Sequence, residues 1–153
     1  MPVGRLIWAV CAAQSVAQLG AFAVPALLPT FIDLWHLSNT DAGWLTGIYY
    51  AGYTLSVPVL VSLTDRIDPK RIYLAATALT TFAMLGYAWL ADGFWPALFF
   101  RALMGVGWAG TYMPGLKALS DWVEGPRQSR AVAAHAAAVG ISGALSFAAS
   151  GIV

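Results

Sequence analysis

Between residues 101 and 115 the chain reads Arg101-Ala-Leu-Met-Gly105-Val-Gly107-Trp108-Ala109-Gly110-Thr-Tyr112-Met-Pro114-Gly115, and no other charge occurs between Asp92 and Lys117. An ionised side chain within a bilayer-spanning helix costs about 2.5 to 3.5 kcal/mol on insertion scales, so Arg101 survives there only where something polar or aqueous receives it. One receiver is the outer interface, reached by snorkelling over about 9 Å. The other is a cavity inside the protein. Gly105, Trp108 and Tyr112 follow at i+4, i+7 and i+11, and this stripe suits a cavity wall better than lipid.

Composition makes the membrane setting necessary. The 153 residues are 59% hydrophobic and 10% charged, and the mean hydropathy is +0.71. A water-facing domain carries roughly 25% charged residues, so a soluble surface is excluded. Eight Lys and Arg against seven Asp and Glu leave no basic face for nucleic acid, and the abundance of apolar residues excludes disorder. Cys11 stands alone, and His36 and His135 are far apart, so neither a disulfide nor a metal site nor a cofactor is expected.

Ionisable residues cluster, and the stretches between them fit five spans at about 6 to 32, 43 to 63, 72 to 90, 96 to 119 and 131 to 153. The first is longer than the roughly 7 to 15 residues of a signal-peptide core, which makes it a retained helix. The fold class is an all-α polytopic membrane bundle. Every Lys and Arg except Arg101 falls on one side: Arg5, then Arg66, Lys70 and Arg71, then Lys117, Arg127 and Arg130. The opposite loops hold Asp33, Asp41 and Asp92 and no cation, which puts the N-terminus in the cytoplasm. Trp35, Trp44, Trp89 and Trp95 then form an outer aromatic belt.

The fourth span resembles the major facilitator superfamily of secondary transporters, whose fourth helix carries an R-x-x-x-G-x-G-x-A pattern met here by Arg101, Gly105, Gly107 and Ala109. A second resemblance is the basic loop Val61-Ser-Leu63-Thr64-Asp65-Arg66-Ile67-Asp68-Pro69-Lys70-Arg71, set against the family signature G-x-L-A-D-R-x-G-R-K. Leu63, Asp65, Arg66 and Lys70 match, while Asp68 and Pro69 depart from it and supply other turn chemistry. The resemblance implies alternating access in an integral protein of the bacterial inner (plasma) membrane, with the lipid bilayer, a small-molecule substrate and protons as partners. It also implies a role for Arg101 in meeting an anionic group or in proton coupling. A complete member has twelve spans in inverted repeats. The chain then covers an incomplete N-terminal six-helix half, whose further partner is the missing C-terminal half of the same chain.

Helical phase names the other candidates. Gln14, Gln18, Tyr50, Trp108 and Tyr112 join Arg101 as substrate or coupling residues. Asp65, Arg66, Lys70 and Arg71 are expected to form a cytoplasmic latch with Asp121 and Glu124, or else to serve only as topology signals in a solvated loop. Gly105, Gly107 and Gly110 allow close helix packing, and Pro114 loosens the helix. His135 either relays a proton or meets the interface. Thr46, Thr54, Ser142 and Ser146 either line a cavity or bond their own backbone, the commoner outcome. Two alternatives to transport are a helical membrane scaffold and a truncated nonfunctional remnant. An enzyme is excluded, since the spans hold no central carboxylate and no paired acid-base set.

Overall fold

A computed structural model describes residues 3–151, and its elements are helices joined by short turns. In chain order these are α1 (Val3–Gln18), α2 (Ala23–Ala26), α3 (Leu28–Trp35), α4 (Asn39–Thr64), α5 (Pro69–Leu90), α6 (Phe94–Trp122) and α7 (Pro126–Ser150). Residues 152 and 153 of the expected fifth span lie outside the described residues.

The stretch 6–32 is not one continuous helix. It breaks at residues 19–22 and again at Leu27, where the backbone leaves the helical basin. Pro25 and Pro29 explain the interruptions: each lacks the N–H that a helix interior needs four residues downstream of a carbonyl. Hydropathy registers only the apolar run and passes over this backbone defect.

The turns between helices have local causes. Ser38 caps α4, its hydroxyl accepting from the Asp41 N–H at 3.2 Å while the Asp41 carboxylate accepts from the Ser38 N–H at 3.0 Å. Asp68 caps α5, its carboxylate accepting from the Lys70 N–H at 2.9 Å, with Pro69 in the first helical position. The turn is thus closed by an acid and a proline where the family signature has glycine and arginine.

α6 is the central element, packed against α4 on one side and α5 on another, while α1 lies along α7 and touches α6. The main core joins Ala21 and Val24 of the broken segment to Leu45, Tyr49, Ala83 and Phe100. A smaller core, Leu119, Val123 and Ala131 with Ile7 and Val10, closes the other end. Among the described helices, Pro69–Leu90 and Pro126–Ser150 are the two that are long and apolar enough to cross a membrane by composition alone. α4 and α6 run 26 and 29 residues, about 39 and 44 Å. Both are long enough to cross a bilayer, and Arg101, Tyr49, Trp108, Gly52 and Gly105 stand where the two helices meet.

Candidate functional site

Arg101 projects from α6 into the gap between the broken first segment and α4. It is 1% exposed. Its Nε donates to the Leu45 carbonyl at 3.1 Å and one terminal nitrogen donates to the Ala21 carbonyl at 3.2 Å. The guanidinium carbon lies 4.4 Å from the centroid of the Tyr49 ring, in cation–π contact. The receiver of this charge is therefore neither the interface nor a carboxylate but two main-chain carbonyls and an aromatic face.

The sequence explains why those acceptors are free. Pro25 stands four residues after Ala21 and has no N–H to offer its carbonyl, which leaves that oxygen for the guanidinium. Leu45 lies inside α4, and a carbonyl has a second lone pair for an additional donor.

The two backbones come close enough for this because Gly105 of α6 packs against the Tyr49 carbonyl, and Gly52 of α4 against the Ala102 carbonyl. A Cβ at Gly52 would stand 2.6 Å from that oxygen, and one at Gly105 would collide with α4 outright. On its other face α6 sets Gly107 against Thr80 and Gly110 against Ala76 of α5. Pro114 is fully buried without interrupting α6.

Beside Arg101 runs a column of rings. Tyr49 stacks on Trp108 at 5.4 Å between centroids, Tyr53 lies 4.2 Å from Trp108, Trp108 is 6.4 Å from Tyr112, and Tyr112 stacks on His135 at 5.2 Å. Tyr50 meets the edge of Trp108 at 6.3 Å and is 43% exposed. The face that α4 turns inward is one residue earlier than helical phase had suggested: Leu45 and Tyr49 are buried, whereas Tyr50 and Thr54 are exposed. Tyr49 and Tyr53, missed in the sequence, had a signal in their own i, i+4 spacing.

Gln14 and Gln18 point into the bundle rather than outward. Both Gln14 amide atoms and the Gln18 nitrogen are buried and lack a hydrogen-bond partner, as does the indole nitrogen of Trp108. Gln18 and Trp108 border a small void of about 10 Å³ together with Tyr49 and Thr111. His135 is 0% exposed and lies inside the bundle, not at the interface, with Gly115 leaving room for its ring. Thr46 and Ser142 bond the carbonyls of Ala42 and Ala138 in their own helices.

The fold brings two of the expected latch residues, Asp65 and Asp121, to Lys117, a cation that was not among them. Lys117 lies 3.9 Å from Asp65 and 3.7 Å from Asp121, joining the ends of α4 and α6. Among the described residues Arg66, Lys70 and Arg71 form no ion pair, and neither does Glu124; all four are exposed. The arginines leave the turn for solvent, while Lys117 lies alongside Asp121 one helical turn away, an i+4 spacing readable in the sequence.

The sequence model of the Major Facilitator Superfamily matches residues 10–153. The chain belongs to this superfamily. As a member of the Major Facilitator Superfamily it is an integral membrane protein and not an enzyme. It is similar to the niacin transporter NiaP of Acinetobacter baylyi, 22% identical over 127 residues, which cover 80% of this chain and 29% of the relative. It is similar also to human protein spinster homolog 1, 23% identical over 145 residues, or 93% of this chain and 27% of the relative. An uncharacterized MFS-type transporter of Mycobacterium tuberculosis is 29% identical over 108 residues, 71% and 18% of the two chains. The superfamily chain spans less than a third of the length of each of these relatives.

Proposed function

We propose that this stretch belongs to an alternating-access transporter of a small organic anion, with its N-terminus in the cytoplasm of a bacterial cell and its span-four arginine fixing the aromatic wall that meets the solute. The observation that carries the reading is Arg101 held between the Ala21 and Leu45 carbonyls beneath Tyr49. A charge so placed biases the wall toward anions without needing to touch them, because the field of a buried cation is weakly screened. Tyr50, Trp108 and Tyr112 supply flat faces along the same wall, and the niacin transporter among the relatives has a small aromatic acid as its named solute. Gln14 and Gln18 add unpaired polar atoms on the neighbouring helix.

In this reading the cytoplasmic latch is the contact between Asp65 at the end of α4 and Lys117 of α6, with Asp121 holding Lys117 from one turn along the same helix, and it is the Asp65–Lys117 contact that closes in one conformation and separates in the other. Proton coupling falls to His135, whose ring ends the aromatic column at Tyr112.

The test is uptake by the full-length protein in proteoliposomes, comparing labelled niacin with a neutral and a cationic ring of similar size, with and without an imposed pH gradient. The expected result is preference for the acid, loss of uptake in Arg101→Ala with normal membrane expression, and loss of the gradient's effect in His135→Gln. Undiminished uptake in Arg101→Ala would sink the arginine's role. Gradient-driven uptake unchanged in His135→Gln would sink the coupling role alone.

A further inference from the structure

The end of the bundle that carries the Asp65–Arg71 turn holds an open apolar groove of about 370 Å³ between α4, α5 and α6. Leu60 and Leu63 of α4, Ile72 and Leu79 of α5 and Val106 of α6 line it, and Arg71 is the one charged side chain along its wall. The proposed latch makes no use of this groove.

Charge around it is unbalanced. The turn carries two acids against three cations, with Asp65 drawn to Lys117 at 3.9 Å and Asp68 turned back to cap α5 through the Lys70 N–H at 2.9 Å. Arg66, Lys70 and Arg71 are exposed and form no ion pair among the described residues. An apolar trough long enough to span two turns of α5, with free cations at the end where the helices leave the bilayer, is complementary to an apolar chain bearing an anionic head. In a membrane protein that chemistry belongs to an anionic phospholipid. A guanidinium engages a phosphate through two parallel N–H donors, which a lysine cannot do, and nearby cations add attraction to an anionic leaflet.

We propose that the groove holds an acyl chain of an anionic phospholipid whose phosphate is bound by Arg71, with Arg66 and Lys70 strengthening the local field. The inference is independent of the solute carried, because it is read by lipid retention and not by transport.

Native mass spectrometry of the full-length protein, released from micelles containing equal amounts of phosphatidylglycerol and phosphatidylcholine with matched chains, tests it. The expected result is several-fold greater retention of phosphatidylglycerol, lowered at least about threefold by Arg71→Gln. Ala75→Phe, which fills the groove and leaves every charge in place, is expected to lower it as well. Arg5→Gln, at the same end of the bundle on α1, is expected to leave retention near that of the wild type. Equal retention of the two lipids would overturn the proposal. So would an equal loss in Arg5→Gln and Arg71→Gln, which would mark a diffuse basic surface, or full retention in Ala75→Phe, which would mean that the groove is covered by another part of the protein.

Discussion

Arg101 donates to the carbonyl of Ala21, the oxygen that Pro25 leaves without a helical partner. One residue opens the helix and another, 76 positions later, closes the vacancy. Pro25→Ala would restore the missing N–H and let Ala21 bond within its own helix. Alone, Arg101→Ala should lower stability by about 2 to 4 kcal/mol, from two charge-assisted bonds of about 1.5 to 3 kcal/mol each partly offset by the relief of burying a charge. In the Pro25→Ala background the same change should cost measurably less. A double-mutant cycle on thermal unfolding in detergent checks this, and strict additivity would refute the coupling.

Gly105→Ala should be among the more damaging single-methyl changes in the chain. The added Cβ meets the Tyr49 main chain, and overpacking of this kind costs about 1 to 3 kcal/mol. Gly47→Ala, on α4 with open space around it, should instead be neutral or stabilising by up to about 1 kcal/mol. Unfolding midpoints of the two variants should therefore move apart, and similar midpoints would contradict the close α4–α6 contact.

Lys117→Ala should change stability by less than about 1 kcal/mol, because the pairs at 3.7 and 3.9 Å are exposed and open to salt. Its effect should appear in conformational balance. Cysteine labelling from the two sides of the membrane should show a shift between inward-open and outward-open forms in Lys117→Ala and Asp65→Lys, and little change in Arg66→Gln. A larger shift in Arg66→Gln than in Lys117→Ala would return the latch to the loop arginine.

The capping box makes a pH prediction. The Ser38 hydroxyl and main-chain N–H both donate to Asp41 and hold its carboxyl below the usual carboxylate range. A carboxyl lowered in the folded state adds stability above its unfolded value, about 3.9, and loses it as pH falls through the lower folded value. Melting curves from pH 7 to pH 3 should show the midpoint holding until below about pH 4 and then falling. Asp41→Asn should remove that part of the acid dependence, and identical profiles would exclude it.

The helical bundle and its controlling charge were legible because both rest on long-range composition: apolar runs set the spans, and an arginine inside one demands a receiver. The receiver itself was not legible as such. Main-chain carbonyls leave no mark in a sequence, except that Pro25 and Pro29 announce which oxygens go unpaired, and the hydropathy of 6–32 concealed that announcement. Ser38 and Asp41, three apart, spell a capping box that could have been read directly. Lys117 could be paired with Asp121 by spacing, but its approach to Asp65 depends on how α4 and α6 cross. The inward phase of α4 likewise depends on Gly52 and Gly105 meeting a partner helix, which periodicity within one helix does not encode.

The Arg101 clamp also bears on how the protein is made. A ribosome delivers the broken segment and α4 before α6, so both carbonyls are already in the membrane when the arginine arrives. An isolated α6 would insert poorly, while the same helix following its two predecessors finds its charge already accommodated. Chain order thus spares this span part of the insertion cost of its arginine, about 2.5 to 3.5 kcal/mol for the helix alone, and a rearranged gene that placed α6 first would bear that cost in full.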